Sequence, residues 1–191
     1  MYKRQEAHKV VHFGINYDSR NGKAIKFRPE NHMGTYKYDL GFTSDKRSTL
    51  GFELASTFGP LSLQGEYKAH SGTVDADNKT YKVGTYYAFA SYFITGEHRP
   101  YKHGSFGRVK PKHDIDNGGM GALEVALRYS AVDNSDFNTL GHFDKVNNIT
   151  FGLNWYLNAH ARLMYNYVTS DYNGANGEKT AAHLFRVQMD F

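Results

Sequence analysis

An all-β chain of antiparallel strands is what three features of the sequence predict. Apolar and polar residues alternate with period two in stretch after stretch, the pattern of a strand with two unlike faces. Aromatics make up 15% of the 191 residues while only 4 are Pro, a balance that suits strands. No window holds the roughly 20 consecutive apolar residues that a membrane-spanning helix needs. The length fits a single domain over residues 1–191.

Taken from the N-terminus, Val11, Phe13, Ile15 and Tyr17 alternate with His12, Gly14 and Asn16, predicting a strand over 8–18. Ser19-Arg20-Asn21-Gly22 has the Asn-Gly pair of a tight hairpin turn, followed by a short strand with Ile25 and Phe27 against Lys26 and Arg28. Pro29 ends that strand, and 30–47 reads as a polar loop. Leu50, Phe52 and Leu54 then alternate with Gly51, Glu53 and Ala55, and Phe58-Gly59-Pro60 turns the chain into Leu61, Leu63 and Tyr67. After a hydrophilic loop over 71–79, Tyr81, Val83, Tyr87, Phe89 and Phe93 share one face of a long strand. Its other face carries Lys82, Tyr86 and Tyr92, so it is aromatic on both sides.

A long basic connection covers 96–120. Leu123, Val125, Leu127 and Tyr129 then oppose Glu124, Arg128 and Ser130, and an Asn-rich loop follows over 133–146. Phe151, Leu153, Trp155 and Leu157 oppose Thr150, Gly152, Asn154 and Tyr156. A turn at Asn158-Ala159 leads into Leu163, Tyr165 and Tyr167, and after a loop over 172–180 the last strand sets Phe185, Val187, Met189 and Phe191 against Leu184, Arg186, Gln188 and Asp190. Ending on Phe in such a strand resembles the C-terminal signature of bacterial outer-membrane barrels.

The expected total is nine strands and no helix, with connections that mostly alternate short and long. That alternation is the pattern of a transmembrane β-barrel, whose strands of about 9–11 alternating residues escape a hydropathy average. A mean hydropathy of −0.64 is therefore no objection. Single-chain bacterial barrels have even strand numbers. An odd count, with no apolar segment after the basic N-terminus to act as an export signal, suggests that an upstream part is missing. Cys is absent, which excludes a disulfide framework or a thiolate metal site. The formal charge of +4 suits anions or anionic lipid as well as nucleic acid, depending on where the cations point. No Ser or Asp is spaced with a poised His, so catalysis is not expected.

Several segments together resemble the C-terminal half of the phosphate-selective porins of the O and P type. They are Phe27-Arg-Pro-Glu30, Phe58-Gly-Pro-Leu-Ser-Leu-Gln-Gly-Glu66, Thr95-Gly-Glu-His-Arg-Pro-Tyr-Lys102, Ser105-Phe-Gly-Arg-Val-Lys-Pro-Lys112, Leu123-Glu-Val-Ala-Leu-Arg-Tyr-Ser130 and Leu153-Asn-Trp-Tyr-Leu-Asn158. The likeness runs from about residue 24 to the end, with Ala159 standing where the family usually has Pro. It implies an antiparallel transmembrane barrel in the bacterial outer membrane, part of a sixteen-stranded homotrimeric porin whose N-terminal half and signal peptide lie outside this sequence. It also implies passive diffusion of phosphate or polyphosphate, with no cofactor, metal or nucleic acid.

If the apolar faces meet lipid, Lys26, Arg28, Glu53, Lys68, Lys82, Arg128, Arg162 and Arg186 face the lumen. Counting strand reversals back from the C-terminus puts the turns near 19–22, 58–60 and 157–159 and the basic connection on the periplasmic side. The resemblance then implies anion-binding roles for Lys26, for Arg28 and Arg128 in an arginine ladder, and for Lys102, Arg108, Lys110 and Lys112 in a cluster at the inner mouth. Glu66 and Glu97 read as acceptors for neighbouring basic residues. Two other readings stand beside the channel: a small closed barrel serving as a structural or adhesion scaffold without a pore, and a soluble barrel, which the run Phe151 to Leu157 and the terminal Phe191 disfavour.

Overall fold

The computed structural model describes residues 9–21, 23–27, 30, 38–44, 46–74, 79–102, 104–136, 144–173 and 178–190. Its strands are β1 (Lys9–Arg20), β2 (Lys23–Phe27), β3 (Tyr38–Ser44), β4 (Lys46–Phe58), β5 (Leu61–Val74), β6 (Lys79–Phe93), β7 (Tyr101–Lys102), β8 (Ser105–Phe106), β9 (Ala122–Asp133), β10 (Lys145–Tyr156), β11 (Ala161–Asn173) and β12 (Glu178–Met189). Eight of them form one antiparallel meander in the order β1-β4-β5-β6-β9-β10-β11-β12. The remaining strands make two small hairpins, β2-β3 and β7-β8.

The nine-strand expectation is corrected at one place. The chain does not reverse near 19–22: Arg20 pairs with Arg47 and Lys23 with Ser44, a single register shared by β1-β4 and β2-β3. What reads as a turn and a new strand is therefore the outward continuation of the first hairpin, and β3 occupies part of the expected loop 30–47. An Asn-Gly pair favours a hairpin turn only when the flanking strands pair with each other, and here β1 has β4 as its partner. The Asn-Gly site also moves from the end of the short turns to the end of the long loops. At the turn end, Gly59 supplies the positive φ of 58° in the two-residue link between Phe58 and Leu61, a conformation that glycine adopts freely. Asn158 organises the other link, its Oδ1 accepting from the amides of His160 and Ala161, both at 2.8 Å, as Asn side chains do in turns.

One face of the sheet is apolar on every strand. Val11, Phe13, Ile15 and Tyr17 on β1, Leu50, Phe52 and Leu54 on β4, Leu127 on β9, Ile149 and Phe151 on β10, Leu163 on β11, and Phe185 and Val187 on β12 are all exposed there. A contiguous face of this kind is what a soluble protein avoids and a bilayer requires. Toward the loop end the same face turns polar, with Lys145 Nζ 3.5 Å from Asp133 and Lys179 Nζ 3.2 Å from Asp171. On β9 the apolar stretch from Leu123 to Tyr129 runs roughly 20 Å along the strand at about 3.3 Å per residue.

The opposite, inner face carries the connection 94–121. β6 turns Val83, Tyr87, Phe89 and Phe93 toward it, so Lys82 lies on the outer face with Tyr86 and Tyr92, against expectation. The aromatic content of both faces hid the choice, which is made by pairing Tyr87 with Glu66 and Ser71 with Lys82. Val109 of the connection joins Phe93, Ala122 and Tyr156 in a small buried cluster on this face. Gly121, at a φ of 75°, brings the chain so close to the Tyr156 carbonyl that a β-carbon there would overlap the oxygen. Both the backbone angle and the close approach require glycine.

Candidate functional site

The inner face at the turn end is built around a carboxylate. Glu124 on β9 is fully buried, and its two oxygens accept from Arg99 Nε at 2.9 Å, Asn154 Nδ2 at 2.9 Å and Tyr156 Oη at 3.0 Å. Arg99 lies in the connection, with Ser91 Oγ 3.4 Å from its Nε and the rings of Phe89 and Phe93 within 6.0 Å of its guanidinium. A buried charge is tolerated only when paired and fully hydrogen-bonded, and this one is. The pair ties the connection to the sheet.

Beside it the connection is held by Glu97, only 3% exposed. Burial works to raise this carboxyl, but hydrogen bonds from the Thr95 hydroxyl and the Lys112 amide, with the Lys112 charge nearby, hold it below its ordinary 4.5. A depressed folded-state value adds stability that is complete above the unfolded value and is lost as pH falls through the folded one. Limited digestion with pepsin at decreasing pH should therefore show the connection opening below about 4.5, and Glu97→Gln should flatten that dependence. An unchanged acid profile in the variant would refute this role.

A cleft of about 290 Å³ lies between the connection and the ends of β10, β11 and β12, with Arg99, Arg108, Arg162, His160 and Asp190 in its wall. Arg108 Nη2 is 3.3 Å from Asp190 and its Nη1 3.3 Å from His160 Nδ1. Arg162 donates to Gln188 Oε1 from Nε at 3.2 Å and Nη2 at 2.8 Å. Further up the face, Arg128 Nε donates to Glu30 Oε1 at 2.8 Å and its guanidinium lies 3.9 Å from the centre of the Tyr87 ring. Lys68 Nζ is 2.8 Å from Glu66, which also accepts from Tyr87 Oη at 3.0 Å.

The expected anion ligands are thus distributed over the face. Arg28 lies outside the described residues, and Lys26 sits in β2 opposite Asp39, near the loop end. Arg128 is engaged by Glu30. Among the cluster residues, Arg108 is engaged by Asp190 and Lys112 Nζ donates to the Gly96 carbonyl at 2.6 Å. Lys102 and Lys110 are exposed and have no side-chain partner among the described residues. Arg186 is likewise exposed and unpartnered among them, on the inner face of β12. The residue that sequence reasoning missed is Arg99. Its signals were Glu124, the one carboxylate in the inward register of β9, and an Arg held between Glu97 and Pro100.

A family model described as phosphate-selective porin O and P matches residues 11–191. The chain belongs to the phosphate-selective porin O and P family. Porin O of Pseudomonas aeruginosa is 30% identical over a 207-residue alignment that covers 85% of this chain and 44% of that protein. An uncharacterized protein of Caulobacter vibrioides is 34% identical over 103 residues, covering 54% of this chain and 20% of its own length. The chain spans less than half the length of either relative. Membership of the porin O and P family places the chain in the bacterial outer membrane, in agreement with the apolar outer face.

Proposed function

We propose that this chain is the C-terminal portion of a single porin barrel domain and lines a passive, anion-selective pore for phosphate or polyphosphate. The observation that carries this reading is that Arg186, Lys102 and Lys110 are exposed and without side-chain partners among the described residues, while a cleft at the turn end holds three guanidiniums. Anions bind such groups by Coulomb attraction and, at Arg, by a bidentate fork. Exposed cations hold an ion loosely enough to release it, which conduction requires. Lys26, Arg28, Arg128, Arg108 and Lys112 join them as steps of the same path. In the longer protein the pore is one unit of a homotrimer.

Planar-bilayer conductance of the refolded chain in chloride, with and without phosphate, tests this. Anion-selective steps blocked by phosphate are expected. Each exposed cation contributes about 0.5 kcal/mol, so replacing Arg186, Lys102 and Lys110 together by Gln should raise the half-blocking phosphate concentration on the order of tenfold. Cation-selective steps, or block unaltered in the triple variant, would overturn the proposal. A second reading, a scaffold without a pore, is favoured by the ion pairs that already match Arg99, Arg108 and Arg128 to Glu124, Asp190 and Glu30. A folded, inserted protein that never conducts is the result that would select it.

A further inference from the structure

Past Val109 the connection leaves the inner face over the rim of the sheet at the turn end. The Ile115 amide donates to the Leu157 carbonyl at 3.0 Å, Asn158 Nδ2 donates to Asp116 at 2.8 Å, and the Trp155 indole donates to the Met120 carbonyl at 2.7 Å. Trp155 pairs with Leu123 and Leu163 in the outer register. Residues 113–121 therefore finish beside the apolar outer face. The β7-β8 hairpin of the same connection stays on the inner face, with the Tyr101 ring 5.8 Å from that of His12. The connection has a limb on each side of the sheet.

Two properties set the outer limb apart from an ordinary solvent loop. Its backbone is satisfied from within: the amides of Asn117 and Gly119 donate to the Asp114 carbonyl, that of Gly118 to Ile115 and that of Gly121 to His113, at 2.8 to 3.3 Å. Asp114 Oδ1 also takes the Asn117 side chain at 2.6 Å. Backbone that finds its partners inside the chain tolerates loss of water. Its large side chains, in contrast, point away from the protein: Met120 is 68% and Ile115 39% exposed, and Ile94, whose amide bonds the Leu123 carbonyl, is 58% exposed. Left in water, such a cluster is a liability. Here it is continuous, through Trp155 and Leu123, with the outer face that membership of an outer-membrane family sets against lipid.

We propose that residues 113–121 form a lipid-binding foot that seats on the phospholipid surface at the turn end. The depth follows from two constraints. Irregular backbone is excluded from the hydrocarbon core itself, and indole rings collect where headgroups meet acyl chains. Trp155, bonded to the foot, thus sets it at that boundary. Met120 and Ile115 then dip toward the acyl chains, while Asp116 and Asn117, both exposed, stay among the headgroups. The foot ties the connection to the bilayer as Glu124 ties it to the sheet through Arg99. The inner limb is held from both sides. The inference rests on the outer-membrane location and does not require conduction.

The sequence has no Cys and a single Trp, which makes depth measurement direct. Met120→Cys, Ile115→Cys and Ser105→Cys are each labelled with an environment-sensitive dye and reconstituted in phosphatidylcholine vesicles. The vesicles carry a nitroxide near the headgroup or deep in the acyl chain, and iodide is added to the water in a parallel series. The labels at 120 and 115 should shift to the blue and lose emission to the shallow nitroxide, with Trp155 quenched alongside them. The label at 105, on the inner limb, should lose emission to iodide instead. Iodide quenching at 120 and 115 as complete as at 105 would overturn the proposal. Labels shielded from both quenchers would overturn it too, assigning the limb to contact with another protein. So would a sample whose Trp155 escapes the nitroxide, because the foot requires that ring in the bilayer.

Discussion

Replacing Glu124 by Ala should cost about 3–5 kcal/mol, the largest single effect expected in this protein. Glu97, the carboxylate closest to Arg99 along the connection, already accepts from Thr95 and Lys112 and is not free to take over the Arg99 charge. The variant leaves a guanidinium in a site floored by Phe89 and Phe93 and strips Asn154 and Tyr156 of their acceptor. The connection should detach at Arg99, and guanidinium titration of the refolded protein should show the loss. The paired change Glu124→Leu with Arg99→Met removes both charges together and should cost much less, because an apolar pair of similar size avoids the desolvation that the ion pair had to offset. Equal losses in the two variants would mean that the pair is not what holds the connection.

Leu127→Arg is the second large effect, for a different reason. Leu127 is exposed on the outer face near the middle of the apolar stretch that Leu123 and Tyr129 delimit on β9. A soluble sheet would accept Arg there with little change. In a bilayer the guanidinium near the midplane should cost about 2–4 kcal/mol. Asn166→Arg, on the inner face of β11 in a cleft beside Arg128, is the matched control. It should stay within about 1 kcal/mol of the parent. Denaturant titration in lipid vesicles measures both, and a loss at Asn166 as large as at Leu127 would mean that the faces have been assigned the wrong way round.

The two variants depend on features of unequal visibility in the sequence. Leu127 was legible because alternation is a local property: Leu123, Val125, Leu127 and Tyr129 announce one face of a strand wherever that strand ends up. The outer face of β10, from Phe151 through Leu153 to Trp155, was legible in the same way. Lys82 was misplaced because β6 carries aromatics on both faces, so alternation could not choose between them and only the pairing of Tyr87 with Glu66 did. The turn at Asn21-Gly22 failed because turn residues permit a reversal without requiring one. β1 gains more from the whole length of β4, Lys9 through Arg20 against Phe58 through Arg47, than from a short hairpin with β2.

Glu124 and Arg99 lie 25 residues apart, and no periodicity links a strand residue to a residue in an irregular connection. The same holds for Arg108 with Asp190 and Arg128 with Glu30, separations that only the folded chain closes. Their consequence is functional. A list of inward cations reads as an anion path, whereas the structure neutralises several of them and leaves Lys102, Lys110 and Arg186 without partners among the described residues.

Local patterning along the chain therefore accounts for the strand class, the apolar outer face of the long strands other than β6, the short turns at Gly59 and Asn158, and the family, because each rests on neighbours or on ordered segments. Tertiary contacts fixed the rest: eight strands in the sheet, the connection 94–121 across its inner face and, among the described residues, the cations left without side-chain partners. Those depend on register and on ion pairs between distant residues, where the energy comes from contacts that exist only after the strands have paired.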